Sequence, residues 1–412
     1  MQSAAILWHV SLLVPAGQKG IALGGVGLAR VFPIVIFSMI SGVVADAWNR
    51  RRLMLATQIC AAIVATGLAL LTAEGHISVW GLYALAALGS AIGAFDLPAR
   101  QALVPMLLPR EHLPNAISLN TIMMQVASIA GPALGGLVIG SIGLTWVYAL
   151  NAVSFAFVIV ALLLMRDVPV RAASSGSNDD VSWRAALEGL QFVFSQPLIR
   201  STMLLDFVAT FFSSAVALLP IFAQDILHVG ATGYGWLYAA PAAGAVVMSA
   251  IMVVLTDHIE RRGPVLLWAV AAYGLATVAF GMARSFWPAF LCLALTGVAD
   301  TVSMVIRGIV RQLETPDRLR GRMTGVNMVF FIGGPQLGEI EAGVVAQWSG
   351  APFSVISGGI GCLVATGWIA AITPSLREYR AHREPPPPAG RDVPTLGGDD
   401  ASLGRGEPAN LS

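Results

Sequence analysis

The 412 residues are 56% hydrophobic and only 11% charged, against roughly a quarter charged in a soluble globular chain. That balance excludes an ordinary soluble enzyme or binding module, because so much apolar surface has to face lipid. A formal net charge of +1 gives no electrostatic footprint for nucleic acid, so the positions of the charges matter more than their sum.

About 20 apolar residues rising 1.5 Å each cross a hydrocarbon core of roughly 30 Å. Apolar runs bounded by charges and by Gly or Pro predict helices over 1–14, 22–45, 52–72, 77–97, 115–139 and 143–165. A polar stretch over 166–180 follows. Six more helices are predicted over 198–224, 233–257, 264–283, 286–308, 322–345 and 352–373. The expected fold is an all-α membrane protein of twelve transmembrane helices in two six-helix bundles, 1–165 and 198–373. Residues 166–197 form a linker, and 374–412, rich in Pro and Gly, are expected to be a disordered tail. The first helix spans only about 21 Å at 1.5 Å per residue. It is expected to be truncated, either by a misassigned start or as a short helix held by its neighbours. Within the linker, Trp183, Leu187, Leu190 and Phe194 recur on one helical face. They predict an amphipathic helix that lies on the membrane surface or packs against loops.

Cytoplasmic loops retain Lys and Arg. Placing the loop after the second helix inside puts 21 of the 24 basic residues there, with Lys19 and Arg284 outside and Arg30 within a helix. Both termini are then cytoplasmic.

The chain repeats itself. Val43-Val44-Ala45-Asp46 with Arg50-Arg51 returns 211 residues later as Val254-Leu255-Thr256-Asp257 with Arg261-Arg262. Arg100 with Pro109 returns as Arg307 with Pro316, and Gly131-Pro132-Ala133-Leu134-Gly135 as Gly334-Pro335-Gln336-Leu337-Gly338. Six crossings per repeat give both halves the same orientation, related by a pseudo-two-fold axis along the membrane normal with a cavity between them.

Charges inside the bilayer are costly and point to function by default. Arg30, Asp206, Asp300, Glu339 and Glu341 fall inside predicted helices, and a carboxylate at that depth is a candidate for carrying a proton or touching a substrate. Asp206 lies about 12 Å along its helix from the cytoplasmic start. Glu339 and Glu341 project about 200° apart around a helix, so one of them is expected to be structural. Asp300 and Arg307 share a helical face and suit a structural ion pair. Cys60, Cys292 and Cys362 stand alone in apolar segments, with no disulfide or metal-ligand spacing. Neither a nucleophile motif nor a phosphate loop is present, so no catalytic residues, metal or cofactor are expected and ATP is not the drive.

Gly42-Val43-Val44-Ala45-Asp46-Ala47-Trp48-Asn49-Arg50-Arg51-Arg52 resembles the cytoplasmic signature of the major facilitator superfamily, G-x-L-A-D-R-x-G-R-R/K. Ala47 stands at the pattern's basic position and Asn49 at its glycine. The resemblance implies that Gly42, Asp46, Arg50 and Arg51, with Asp257, Arg261 and Arg262 in the second half, form a gate latching the bundles on the cytoplasmic side. Ala127 followed by Gly131, Pro132, Gly135 and Gly136 resembles the superfamily's exporter signature, G-x-x-x-G-P-x-x-G-G. The same residues also suit a kink for close helix packing. Phe95-Asp96-Leu97-Pro98-Ala99-Arg100 and Pro316-Asp317-Arg318-Leu319-Arg320-Gly321-Arg322 are similar to the branch holding enterobactin exporters and macrolide efflux proteins, a likeness running to about residue 373.

The resemblance implies a monomeric transporter in a bacterial inner membrane. It would export a hydrophobic or amphiphilic small molecule, such as a drug or siderophore, against protons by alternating access. A proton-coupled nutrient importer and a transport-inactive sensor or scaffold are the alternatives; the first lacks only the export signature, and the second is suggested by the short first helix and Ala47.

Overall fold

In lipid every backbone amide must be satisfied within the chain, and a run of apolar residues does so by coiling into a helix. The computed structural model describes residues 1–107, 109–165, 190–316 and 319–380. Among them the long elements are all helices: α1 (Gln2–Leu13), α2 (Lys19–Ala47), α3 (Arg50–Ala73), α4 (Val79–Leu107), α5 (Leu113–Ser141), α6 (Leu144–Leu164), α7 (Pro197–Phe212), α8 (Gly230–Leu255), α9 (Arg262–Met282), α10 (Phe286–Glu314), α11 (Arg320–Ser349) and α12 (Ala351–Ile372). Ten are long and apolar enough to cross a membrane, α7 being counted together with its continuation to Ile226. The remaining two are α1, of 12 residues, and α11, of 30 residues, which carries Glu339 and Glu341.

Several boundaries differ from those read off apolar run length. α4 continues ten residues past the expected end at 97, and α10 six residues past 308. Charged residues stop a hydropathy run but do not stop a helix, which projects beyond the hydrocarbon when hydrogen bonding continues. α7 stops at Phe212 rather than 224; the chain then runs through a 3-10 turn (Ala215–Leu218) and a π turn (Phe222–Ile226). Residues 374–380, expected in the disordered tail, are folded instead. Leu376 is buried, and Gly263 N–H at the start of α9 donates to Tyr379 O at 3.0 Å. The rest of that tail and most of the linker, with Trp183 and Leu187, lie outside the described residues. At 190–195 the chain is helical, and Val193 packs with Ile199, Met203 and Met323, while Leu190 and Phe194 are exposed.

The repeat is visible in the packing. In the first half α2 lies on α4, and α3 on α4 and α6; in the second, α8 lies on α10, and α9 on α10 and α12. The halves meet through α2 with α11 and α5 with α8. Each of these four helices has a proline inside it, Pro33, Pro132, Pro241 and Pro335, which removes one ladder hydrogen bond and bends the rod.

Both contacts between halves are backbone on backbone. A β-carbon on Gly136 would lie 2.6 Å from Gly235 Cα, and one on Gly343 would lie 2.7 Å from Gly24 Cα. Gly24 and Gly235 are 211 residues apart, the offset of the Asp46 and Asp257 motifs, so one contact is the repeat image of the other. Without a hydrophobic drive between helices in lipid, small residues that let backbones approach supply the dispersion contact that holds them.

α1 is short but well held. Ala4 through Ser11 are buried; Tyr234 Oη donates to Ala4 O at 2.8 Å, and Trp8 stacks on Tyr234 with centroids 5.0 Å apart.

Gly136→Ala and Gly343→Ala should each destabilise the purified protein by roughly 1–3 kcal/mol, the cost of forcing extra carbon into a packed contact. Gly67→Ala, where an added β-carbon meets nothing within 4 Å, should be neutral or stabilise by about 0.5–1 kcal/mol. Thermal unfolding in detergent measures both, and equal effects at the three positions would contradict this packing.

Candidate functional site

The buried charges sort into two groups. The first lies where α2 meets α11. Gly27 of α2 faces Glu339 so closely that a β-carbon there would stand 2.8 Å from Glu339 Cβ. Glu339 is 6% exposed, and its Oε2 has no hydrogen-bond partner. Arg30, one turn along α2, is within electrostatic reach of Glu339 and donates from Nη2 to Ser3 O at 3.3 Å. Arg30 also lines a cavity of about 490 Å³, together with the polar Gln2, Ser90, Asn151 and Gln336 and the apolar Ile6, Val64 and Phe155. Glu341, two residues on, is half-buried. The helical geometry thus sends one glutamate into the interface and the other elsewhere.

The second group lies inside the second half. Among the described residues Arg307 of α10 is the largest fully buried side chain. Its Nη1 stands 2.7 Å from Asp206 Oδ1 of α7, with the two side chains 2% and 3% exposed. The approach is off the N–H axis, so this is an ion-pair contact rather than an aligned hydrogen bond. Its Nη2 is 3.6 Å from Asp300 Oδ1, whose side chain is 47% exposed. The pairing expected for Asp300 is therefore the longer of two, and Asp206 is the nearer partner. Arg311, one turn beyond, donates to Asn327 Oδ1 of α11. In the first half the repeat-related Arg100 pairs with Asp96 at 2.7 Å, and Asp96 also accepts from Thr57 Oγ1 at 2.9 Å and Gln58 Nε2 at 2.8 Å, tying α4 to α3.

The arginine motif at the α2–α3 corner has its own local work. Arg51 donates to Leu162 O at 2.8 Å and Leu163 O at 3.0 Å, capping the carbonyl end of α6 where a cation is favoured. Asn49 Oδ1 accepts from Arg52 N–H at 3.2 Å and is the N-cap of α3, which explains an asparagine where the family pattern has glycine. Arg50 and Arg262 begin α3 and α9, and Arg261 precedes the latter. The side chains of Gly42, Asp46 and Asp257 lie outside the described residues.

In the α5 motif, Gly131 and Gly135 face Met1, the N-cap of α1, while Gly136 faces α8, and Pro132 O lies 2.6 Å from where a β-carbon on Gly235 would sit.

At the end of the molecule opposite the arginine motifs is a cluster that sequence reasoning did not single out. Lys19 Nζ donates to Asp225 Oδ1 and Oδ2 at 2.9 Å and to Gln224 Oε1 at 2.8 Å. Gln224 Nε2 in turn donates to Ser11 Oγ at 2.7 Å, and Gln347 Nε2 donates to Gly17 O. These bonds join the first half to the second. The available signal was that Lys19 is the only lysine in the chain, but its partner is 206 residues away. Among the described residues the polar bonds between halves concentrate at this end.

Residues 1–388 match the family described as transmembrane secretion effector. The chain is 27% identical over 349 residues to the enterobactin exporter EntS of Citrobacter koseri, covering 85% of this chain and 82% of that one. To EntS of Shigella boydii it is 26% identical over 342 residues, covering 83% and 81%. Its fold is similar to the nucleoside transporter NupG, with a TM-score of 0.69 at 14% identity over 90% of this chain and 97% of that one. It is also similar to a bacterial homologue of the human lysosomal transporter Spinster, with a TM-score of 0.66 at 15% identity over 90% and 95%. The likeness to these two structures establishes the fold alone. The match across nearly all of the described helices places the chain, as a multi-pass membrane transporter, in the transmembrane secretion effector family of the major facilitator superfamily.

Proposed function

We propose that this chain is a proton-driven exporter that moves an amphiphilic small molecule, such as a drug or siderophore, out of a bacterial cell across the inner membrane. Two six-helix bundles, 1–165 and 198–373, joined by the linker 166–197, rock about the α2–α11 and α5–α8 contacts. The arginine-rich end, with both termini, is cytoplasmic, and the carrier works as a monomer. The observation that carries this reading is the cavity of about 490 Å³ lined by Arg30 and by both polar and apolar side chains, with Arg30 in electrostatic reach of the buried Glu339 at the interface between halves. A pocket of this size suits a drug-sized ligand. A lining that mixes polar and apolar side chains suits a molecule of mixed polarity.

The polar bonds at Lys19, Asp225 and Gln224 tie the halves together at the proposed outer end. An ion-pair latch suits a carrier because its contacts exist in one state and break in the other. The arginine motif, with Asp46 and Asp257, serves as the opposing gate in the outward-open state, and the α5 motif around Pro132 and Gly136 is the pivot. Glu339 is the coupling residue. Asp206 pairs with Arg307 at 2.7 Å inside one half, whereas Glu339 lies against Gly27 on the seam between halves, the joint that must move. A neutral Glu339 costs little to bury; a charged one favours the state in which water or Arg30 reaches it.

The direct test is accumulation of a panel of lipophilic dyes, drugs and siderophores in inside-out vesicles, with and without a protonophore. Protonophore-sensitive accumulation is the expected result; uptake only into right-side-out vesicles would overturn the direction. Glu339→Gln should lower pH-driven accumulation at least tenfold while leaving downhill exchange of the same compound within about threefold. Unchanged pH-driven accumulation would remove Glu339 from the coupling step.

Lys19→Asp should raise the labelling, by membrane-impermeant thiol reagents added from the outer side, of a cysteine introduced at Ser90 in the cavity lining. Its effect is small, about 1 kcal/mol or a fivefold shift in population, because Asp225 is 41% exposed. The reversed pair, Lys19→Asp with Asp225→Lys, should restore the closed outer end, and equal labelling of the single and double variants would contradict the latch.

A further inference from the structure

The second half holds a cavity that the proposed route does not use. We infer that the cavity of about 110 Å³ at the break of α7 is a binding site for a hard monovalent cation such as sodium or potassium, held by the Asp300 carboxylate and the hydroxyl oxygens of Ser213, Thr277 and Thr296. The inference goes beyond the proposed export of an organic molecule and stands on a different set of residues.

Four observations converge on it. All four oxygen-bearing residues line this one cavity, together with Tyr273. Thr277 donates its proton to Tyr273 O at 2.9 Å and Thr296 to Leu293 O at 2.6 Å. Each hydroxyl is thereby committed as a donor and keeps its lone pairs for an acceptor role. Ser213 is 5% exposed, and its Oγ has no hydrogen-bond partner. Its neighbour is the Cys362 thiol, a weak partner that leaves the hydroxyl oxygen able to accept or to ligate.

The backbone supplies the second element. α7 ends at Phe212, Ser213 and Ser214 are not helical, and the chain resumes as a 3-10 turn over Ala215–Leu218. A helix that breaks inside the membrane presents the negative end of its dipole at the break. Interrupted helices of this kind line the cation sites of transporters because irregular backbone is tolerated in the bilayer only around a cavity.

Charge decides the valence. Arg307 and Asp206 neutralise each other at 2.7 Å, and Asp300, at 3.6 Å from the other guanidinium nitrogen, is the second carboxylate on one cation. Arg311 is also within electrostatic reach of Arg307 and Asp206, so the negative charge left for the cavity is that of Asp300 itself, the carboxylate that lines it. A single positive charge balances it, and a divalent ion would leave one uncompensated. The volume holds a dehydrated cation with one or two waters.

The scaffold does not require this carboxylate. Asp300 sits at the midpoint of α10 (Phe286–Glu314). α4 and α10 begin 207 residues apart, which makes Gly93 its counterpart in the first half, and a β-carbon there would meet nothing within 4 Å. Asp300 has been placed where the repeat needs no side chain.

The test is thermal unfolding of the purified full chain at fixed pH and ionic strength, with sodium or potassium chloride replacing choline chloride. A saturable rise of several degrees in Tm with sodium or potassium is expected. The concentration at half effect should move at least tenfold upward in Asp300→Asn and measurably upward in Thr296→Val, a variant that keeps the shape of the site and all its charges. Identical Tm in choline and in both alkali salts overturns the proposal. So does an alkali-ion response that survives Asp300→Asn, or stabilisation by acid alone, which would mean that Asp300 takes a proton instead. The measurement needs no transported compound. A failure of vesicle accumulation and a failure of cation binding are therefore separate results.

Discussion

Two backbone contacts, Gly136 on Gly235 and Gly343 on Gly24, govern the rest of the molecule. In lipid a helix gains nothing by hiding apolar side chains from the hydrocarbon, so association depends on how closely two backbones come together. Glycine is the residue that permits approach to the backbone itself. Because the two contacts are images of one another in the repeat, the halves touch along two matched seams. Each seam lies on helices bent by an internal proline. Closeness at the α2–α11 seam is what brings Glu339 against Gly27 and within reach of Arg30. A side chain larger than hydrogen at Gly27 would push that carboxylate away.

The two charge groups differ in where they sit, one inside the second half and one on the seam between halves, and the difference points to different work. Burying an ion pair costs desolvation that only good geometry and extra partners offset. Arg307 faces two carboxylates on two helices and fixes α10 against α7. The Glu339 and Arg30 group, by contrast, straddles the seam between halves and leaves an oxygen unpaired. A pair between two helices of one half moves with that half as a unit. A group that changes partners during a cycle has to be incomplete in at least one state.

Much of this was legible in the sequence, because the features concerned are local. The apolar runs gave the helices, and the Asp46 and Asp257 motifs gave the repeat. The angle between Glu339 and Glu341 required them to face differently, which they do. What could not be read was pairing across long separations. Arg307 could be matched with Asp300 seven residues away, but its nearer partner, Asp206, is reached only through the packing of α7 on α10. Lys19 read as an isolated outside charge until Asp225 appeared beside it. The exporter-like motif marked Gly136 but not Gly235, since nothing in a lone glycine names the helix it touches. Asn49 looked like a departure from the family pattern and is instead the N-cap of α3. Hydropathy also misplaced helix ends at Leu107 and Glu314, where the rods continue beyond the hydrocarbon.

The central claim is that the two ends open alternately about the glycine seams. The measurement that addresses it most directly is a pair of spin-label distances in a background with Cys60, Cys292 and Cys362 replaced by serine. One pair joins the exposed positions Trp48 and His258 at the arginine-rich end, and the other the exposed Trp80 and Trp287 at the opposite end. When substrate and pH are varied, the first distance should shorten as the second lengthens. Distances that change together, or that stay fixed while transport proceeds, would contradict the account.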